Sequence, residues 1–315
     1  MSPSPRVALL FPGQGTLAPG MGRGLAQAVE GLADELDAAS ERLGLDVADL
    51  SRRGTLDQLR RTAVAQRVVV AWGIALWRTV VAPHAVPVAV AGHSVGELAA
   101  VVAAGMLPSD DAYDLVGVRA DAMNDLGDTG SMTSVDGPTR DELRDALAPH
   151  LSLSLALQNA PTTHVVSGPV ESLDRFEVAV ADRRWRTRRL AVGGAFHAPA
   201  MAAATPAWSS ALDATRFVPG DCAVYLNVDG RGTTDPERVR AGLAAELERP
   251  VEWHRCVTGV LAHRPTDVVE VGCSRGLVGW VRRLGGDAHT WSLSEPREAI
   301  ELVRHLSLAG AGATA

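Results

Sequence analysis

Val86-Pro87-Val88-Ala89-Val90-Ala91 runs directly into Gly92-His93-Ser94-Val95-Gly96, and an apolar stretch with helical texture, Leu98 to Met106, follows at once. A β-run, a turn bracketed by two glycines and a buried helix are the setting of a nucleophile elbow. In such a turn the Ser94 hydroxyl stands at a helix N-terminus, where the Val95 N–H and the helix dipole can stabilise an oxyanion. A serine that merely caps a helix would leave the same local pattern, so the remaining motifs must decide.

Working outward, Val7 to Phe11 reads as a first strand, followed by a helix ending near Trp77, then the strand Val86 to Ala91 and the helix from Ser94. This alternation predicts an α/β fold with a mainly parallel sheet. Between Ser131 and Val192 the elements shorten. They run as a strand to Val135, a helix from Thr139, strands Leu153 to Leu157 and His164 to Ser167, a helix from Glu171 and a strand Trp185 to Val192. That βαββαβ order reads as a small ferredoxin-like insertion. The α/β pattern resumes with Ala223 to Val228, a helix around Val239 to Leu247 and the strand Val268 to Val271, and the tail Ala309 to Ala315 is expected to fray.

The 315 residues, 46% of them hydrophobic, can bury a sizeable core without staples. Cys222, Cys256 and Cys273 are odd in number and lack metal-ligand spacing, so neither a disulfide framework nor a zinc site is expected and a reducing cytoplasm fits. The apolar stretch Val7 to Phe11 is too short for a signal segment or a membrane span, so a soluble protein is expected. A net charge of −7 argues against nucleic-acid binding. No lysine occurs in the chain, which leaves Schiff-base chemistry without a candidate.

Ser94 needs a base. His197, in Gly193-Gly194-Ala195-Phe196-His197-Ala198-Pro199, sits in a glycine-flanked turn before a helical segment, whereas His93 next to the serine should point to the opposite face. Leu10-Phe11-Pro12-Gly13-Gln14-Gly15 lacks the third glycine of a dinucleotide fingerprint, because Ala18 stands there. A loop that brings the Gln14 N–H to the site suits it better. Arg119 lies within the stripe Ala112, Leu115, Val116, Ala122, Met123 and Leu126. A guanidinium turned toward a core requires an anion, either a structural Glu or Asp or a bound carboxylate.

Together Phe11-Pro12-Gly13-Gln14-Gly15, Gly92 to Glu97, Arg119 and Ala195-Phe196-His197 resemble the malonyl-CoA:acyl-carrier-protein transacylases and the acyltransferases of polyketide synthases. The resemblance implies a large hydrolase-like α/β body, residues 1–128 and 195–300, a ferredoxin-like domain over 129–194, and a helix end and flexible tail over 301–315. It implies ping-pong transfer through an acyl-Ser94, with His197 as base and the N–H groups of Gln14 and Val95 as oxyanion hole. Arg119 would grip the free carboxylate of a malonyl-type acyl group, with Gln66, Asn159, Met123 and Phe196 as further substrate-contacting candidates and Asn227 a looser match. The expected substrates are a coenzyme A thioester and a phosphopantetheinylated acyl carrier protein. No bound cofactor, metal, nucleic acid or membrane partner is implied, and a cytoplasmic monomer is expected.

Several positions depart from the family pattern. Glu246 stands four residues before Pro250, where the family usually has a glutamine that helps orient the histidine. A carboxylate there could strengthen the base or repel an anionic acyl group. Ala198, Leu17 and Cys273-Ser274 are further departures, while Phe196, with Gly194 two residues before it, resembles malonyl-selecting sites. The rival readings are a serine thioesterase or editing hydrolase, and a transferase of an unusual acyl group between carriers. Hydrolases of the α/β type usually place their histidine near the C-terminus, and here the chain continues over 100 residues beyond His197. Arg183, Arg184 and Arg186, in the basic run Arg183 to Arg189, are candidates for docking an acidic carrier, or else a solvated strand edge.

Overall fold

The computed structural model describes residues 5–127, 129–285 and 287–311. Their strands are β1 (Val7–Phe11), β2 (Ala89–Gly92), β3 (Ser131–Asp136), β4 (Ser154–Ala160), β5 (Thr163–Gly168), β6 (Arg186–Arg189), β7 (Ala223–Tyr225), β8 (Gly232–Thr233), β9 (Asp267–Glu270) and β10 (His289–Ser292). The larger sheet has the order β10-β9-β1-β2-β7-β8, and all its pairs are parallel except β7 with β8. The smaller one, β4-β5-β3-β6, is antiparallel throughout. With helices Arg140–Leu147 and Val170–Ala179 between its strands, it has the ferredoxin-like order expected.

Helices on the faces of the large sheet account for the wholly buried β1, β2 and β9, which carry apolar residues on both sides. β1 and β2 run in register from Ala8 opposite Ala89 to Phe11 opposite Gly92. Their carboxyl ends therefore lie side by side, and the loop after Phe11 meets the turn after Gly92 there. Open α/β sheets place ligands at this edge.

The strand expected over Val86 to Ala91 is shorter. Pro87 has no N–H to give, and ladder pairing starts only after Val88 N–H bonds to the Val7 carbonyl. The helix expected from Ser94 begins at Gly96, and the one expected to end near Trp77 spans Thr62–Leu76 and continues as a π-type turn to Val81. Thr62–Val81 has the length and hydropathy to cross a membrane, yet most of it is buried in the core. The final helix, Pro296–Ala311, takes in part of the tail expected to fray; 312–315 lie outside the described residues. β8 and β10 are too short and too polar to have announced themselves in the sequence.

The small sheet works by alternation. On β3, Val135 packs into a core with Leu143, Val166, Leu173 and Phe176 under the two helices, whereas Met132, Ser134 and Asp136 face a cavity between the sheets. β4 is tied to the large body at its edge, where Gln158 N–H donates to the Val251 carbonyl at 2.9 Å and Val251 N–H to that of Ala156 at 2.9 Å.

Glycine is required where β2 meets its helix. A Cβ on Gly92 would lie 2.0 Å from the carbonyl carbon of Gly96, and one on Gly96 would lie 2.6 Å from the carbonyl oxygens of both Phe11 and Pro12. Gly96→Ala should therefore destabilise the protein by about 1–3 kcal/mol and lower Tm by several degrees in a thermal melt. An unchanged Tm would mean that the loop after β1 yields freely.

Candidate active site

Ser94 occupies the left-handed region at φ +54°, a conformation costly for a residue with a Cβ, and so does His197 at φ +54°. Two such residues facing each other mark a place where the fold enforces geometry. At Ser94 the enforcement comes from Asn227, fully buried just after β7. Its Oδ1 accepts from Ser94 N–H at 2.7 Å, and its Nδ2 donates to the Gly92 carbonyl at 2.6 Å, clamping both sides of the turn. Asn227 N–H in turn donates to Glu97 Oε1 at 2.8 Å. Burial, aided by the negative charge of Glu246, pushes the Glu97 carboxyl well above the usual carboxylate range. In the sequence Asn227 was a loose match and the Glu97 contact was illegible.

Ser94 Oγ lies 2.8 Å from His197 Nε2. On the far side of the ring, Nδ1 donates to the Glu246 main-chain carbonyl at 2.8 Å, which fixes the tautomer with Nε2 free to accept the serine proton. The orienting group is thus the backbone of Glu246, available from any residue type. The carboxylate proposed for that task stands off, with Oε2 3.8 Å from Nδ1. Burial holds the His197 pKa below the usual imidazole range, and the charge of Glu246 opposes this. His93 lines the same cavity as Ser94 rather than the opposite face expected of it, and other contacts engage its ring there. It bonds to Asn159 Oδ1 at 3.0 Å, stacks edge-on with Trp253 and is held neutral by burial, with its pKa pushed down to about 4.

Gly13 and Gln14 come from the loop after β1, and no acceptor takes the main-chain N–H of Gln14 or of Val95 among the described residues. Both are therefore available to an oxyanion at Ser94. Gly13 lies close against His93, its would-be Cβ 2.8 Å from the His93 carbonyl oxygen.

Arg119, on the helix Ser109–Asn124, is 1% exposed and already paired. Its Nε and Nη2 donate to Glu246 Oε1 at 2.7 and 2.5 Å, Nη1 donates to Gln66 Oε1 at 2.6 Å, and Nη2 reaches Ser94 Oγ at 3.4 Å. Of the two partners that the stripe allowed, the structure supplies the internal carboxylate. Gln66 is held in turn by a bond from its Nε2 to Met123 Sδ at 3.2 Å.

Ser94 and His197 open into a cavity of about 580 Å3 between the two sheets. Met123, Met132, Leu190, Val192 and Phe196 give it apolar walls, and Gln14 and Asn159 also line it. The basic run divides by alternation along β6, the edge strand. Exposed Arg186 and Arg188 line the cavity, while Arg189 turns to Asp174 and Glu177 on the neighbouring helix. Arg183 lies over the Trp185 ring at 4.6 Å, and Arg184 is exposed. Arg188, absent from the sequence-based docking set, belongs with Arg186, and period-two counting along the strand would have found it.

A serine on a strand-turn-helix elbow facing a main-chain-oriented histidine, with a ferredoxin-like sheet roofing the cleft, defines an acyl-transfer enzyme. The acyl transferase domain model matches residues 8–278, and the chain belongs to that family. It is 30% identical over 304 residues to the malonyl CoA-acyl carrier protein transacylase of Bacillus subtilis (strain 168), covering 94% of this chain and 96% of that one. Its fold superposes with a TM-score of 0.90 on the malonyl-CoA:acyl carrier protein transacylase of Xanthomonas oryzae, at 29% identity over 96% of this chain and 99% of the other. The TM-score is again 0.90, at 27% identity over 95% and 99% of the two chains, for a malonyl-transacylase solved in complex with its type II polyketide synthase acyl-carrier protein.

Because burial depresses the His197 pKa below 6.5, the imidazole is unprotonated at pH 7 and gains its proton only in more acidic solution. Labelling of Ser94 by a fluorophosphonate should be flat above neutrality and fall only below pH 6.5. Glu246→Gln removes the charge that opposes the shift and should move this acid limb lower still. A limb above pH 7 in the native enzyme would contradict the buried, neutral base.

Proposed function

We propose that the chain transfers a malonyl-type acyl group from a coenzyme A thioester to the phosphopantetheine thiol of an acyl carrier protein, through an acyl-Ser94 intermediate. The observation that carries it is the 2.8 Å contact of Ser94 Oγ with a His197 whose other nitrogen is tied to the main chain. As Oγ attacks the thioester carbonyl carbon, its proton passes to His197 Nε2, and the oxyanion is held by the N–H groups of Gln14 and Val95. The C–S bond breaks and the proton returns to the leaving thiolate. The carrier thiol then gives its proton to His197 and attacks the acyl-serine carbonyl; the C–Oγ bond breaks, His197 returns the proton to Ser94 Oγ, and the carrier leaves with the acyl group. Nucleophile, base and oxyanion donors all come from this chain, and coenzyme A and phosphopantetheine enter as substrates. Three unpaired cysteines accord with a cytoplasmic setting.

Transfer is favoured over hydrolysis by the walls of the cavity, whose apolar side chains give an attacking water little to hold it beside the acyl-serine. Arg186 and Arg188 supply positive charge along the same cavity, where the phosphates of either substrate would pass, and an acidic carrier would meet Arg183 and Arg184 beside it.

Intact-mass analysis after exposure to malonyl-CoA should find one acyl adduct on the native protein and none on Ser94→Ala. His197→Ala should slow both loading and unloading by roughly 10²–10⁴-fold, because one base serves both half-reactions. Loss of only one half would assign a second base.

At low salt, Arg183→Ala combined with Arg184→Ala should raise the KM for the carrier alone. Arg186→Ala combined with Arg188→Ala should raise it for coenzyme A thioesters as well. Both effects should fade as salt screens them. A carrier KM that stays constant in both pairs would place docking on another face.

A further inference from the structure

Arg119 is the cation nearest Ser94, and its charge is already answered. Glu246 Oε1 bridges Nε and Nη2, the two partners are 1% and 2% exposed, and neither lines the cavity into which Ser94 opens. As a unit the pair is neutral. An acyl group carrying a free carboxylate would have to displace Glu246, leaving that buried anion without its partner, or lie in the cavity without a free cation from Arg119. The site already shows how it treats another acid: Glu97 is held toward its protonated form, by burial first and by the field of Glu246 next. Among the side chains that do face the cavity, beside polar ones such as Gln14 and Asn159 and the exposed Arg186 and Arg188, are Met123, Met132, Phe196, Leu190 and Val192, a surface suited to methyl and methylene groups.

We infer that Glu246 sets the acyl specificity of this site: by neutralising Arg119 from within, it reduces the advantage of a carboxylated acyl group and admits uncharged short acyl groups beside malonyl. This rests on the acyl-transfer reading above and concerns which acyl groups Ser94 accepts. Specificity is a difference between two free energies, and an internal carboxylate lowers the affinity for one competitor without touching the other. The uncharged acyl group asks nothing of Arg119 and leaves the ion pair intact. Glutamine at position 246 has nearly the same shape, keeps an oxygen for Arg119 to donate to, and restores the net positive charge.

The test measures acylation of Ser94 by malonyl-CoA, acetyl-CoA and propionyl-CoA as kcat/KM, in the native enzyme and in Glu246→Gln. For the native enzyme, the acetyl and propionyl values should lie within tenfold of that for malonyl. In Glu246→Gln the malonyl-to-acetyl ratio should rise about tenfold or more, a change of preference that a merely structural role for Glu246 would not produce. A native preference for malonyl above tenfold overturns the inference while leaving acyl transfer intact, and this holds whether or not the variant folds. A ratio unmoved in a variant with native Tm and circular dichroism overturns it as well. Failure of all three donors, and of the corresponding acyl-carrier thioesters, to load Ser94 would remove the transferase reading itself and this inference with it.

Discussion

Ser94 can stand at φ +54° only because the chain around it permits no alternative. The turn has to leave β2 and enter a helix within a few residues, and Gly92 and Gly96 make this possible by letting backbone pass backbone at distances that any Cβ would forbid. Asn227 then fastens the turn from both sides. The strain is local, of order 1–3 kcal/mol, and the buried strands and helices around it hold the conformation in place. With Ser94 fixed, the helix N-terminus, the free Val95 N–H and the adjoining Gln14 loop fall into place, because β1 and β2 end at the same height.

The second half of the site is delivered by a different part of the chain under a similar constraint. His197 is also left-handed, and its ring is set by a main-chain carbonyl 49 residues further on. The bond costs the sequence nothing in residue type, which leaves the side chain at position 246 at liberty to serve another purpose. Here that side chain turns to Arg119. One residue therefore couples the base, through its backbone, to the charge balance beneath the nucleophile, through its carboxylate. A carboxylate in this position raises the electrostatic cost of any further anion, and the buried Glu97 already registers that cost.

The small sheet contributes a roof with two unlike faces. Period-two alternation sends Val135 and its neighbours into a core of their own and turns Met132 and Ser134 to the cavity. The same alternation splits the arginines of β6 between the cavity and the helix beside them. A dense basic run on an edge strand is thereby partly neutralised and partly put at the disposal of phosphate-bearing ligands, while also guarding the edge against pairing with another chain.

The sequence alone determined the layered α/β body, the ferredoxin-like insertion and the elbow at Ser94. These depend on short-range spacing: the alternation of apolar residues, glycines at fixed offsets, and the side to which successive strand residues point. Strand and helix limits moved by a few residues where a single group decided, as at Pro87. Tertiary structure alone decided which anion meets Arg119. Periodicity established that a buried guanidinium needed a partner and left an internal carboxylate and a ligand equally open. The partner lies 127 positions away in the chain, on a segment whose side-chain direction is set by packing. The clamp of Asn227 on the elbow, 133 positions from Ser94, was hidden for the same reason. A contact between distant segments has no period to betray it, and only the folded core brings its two ends together.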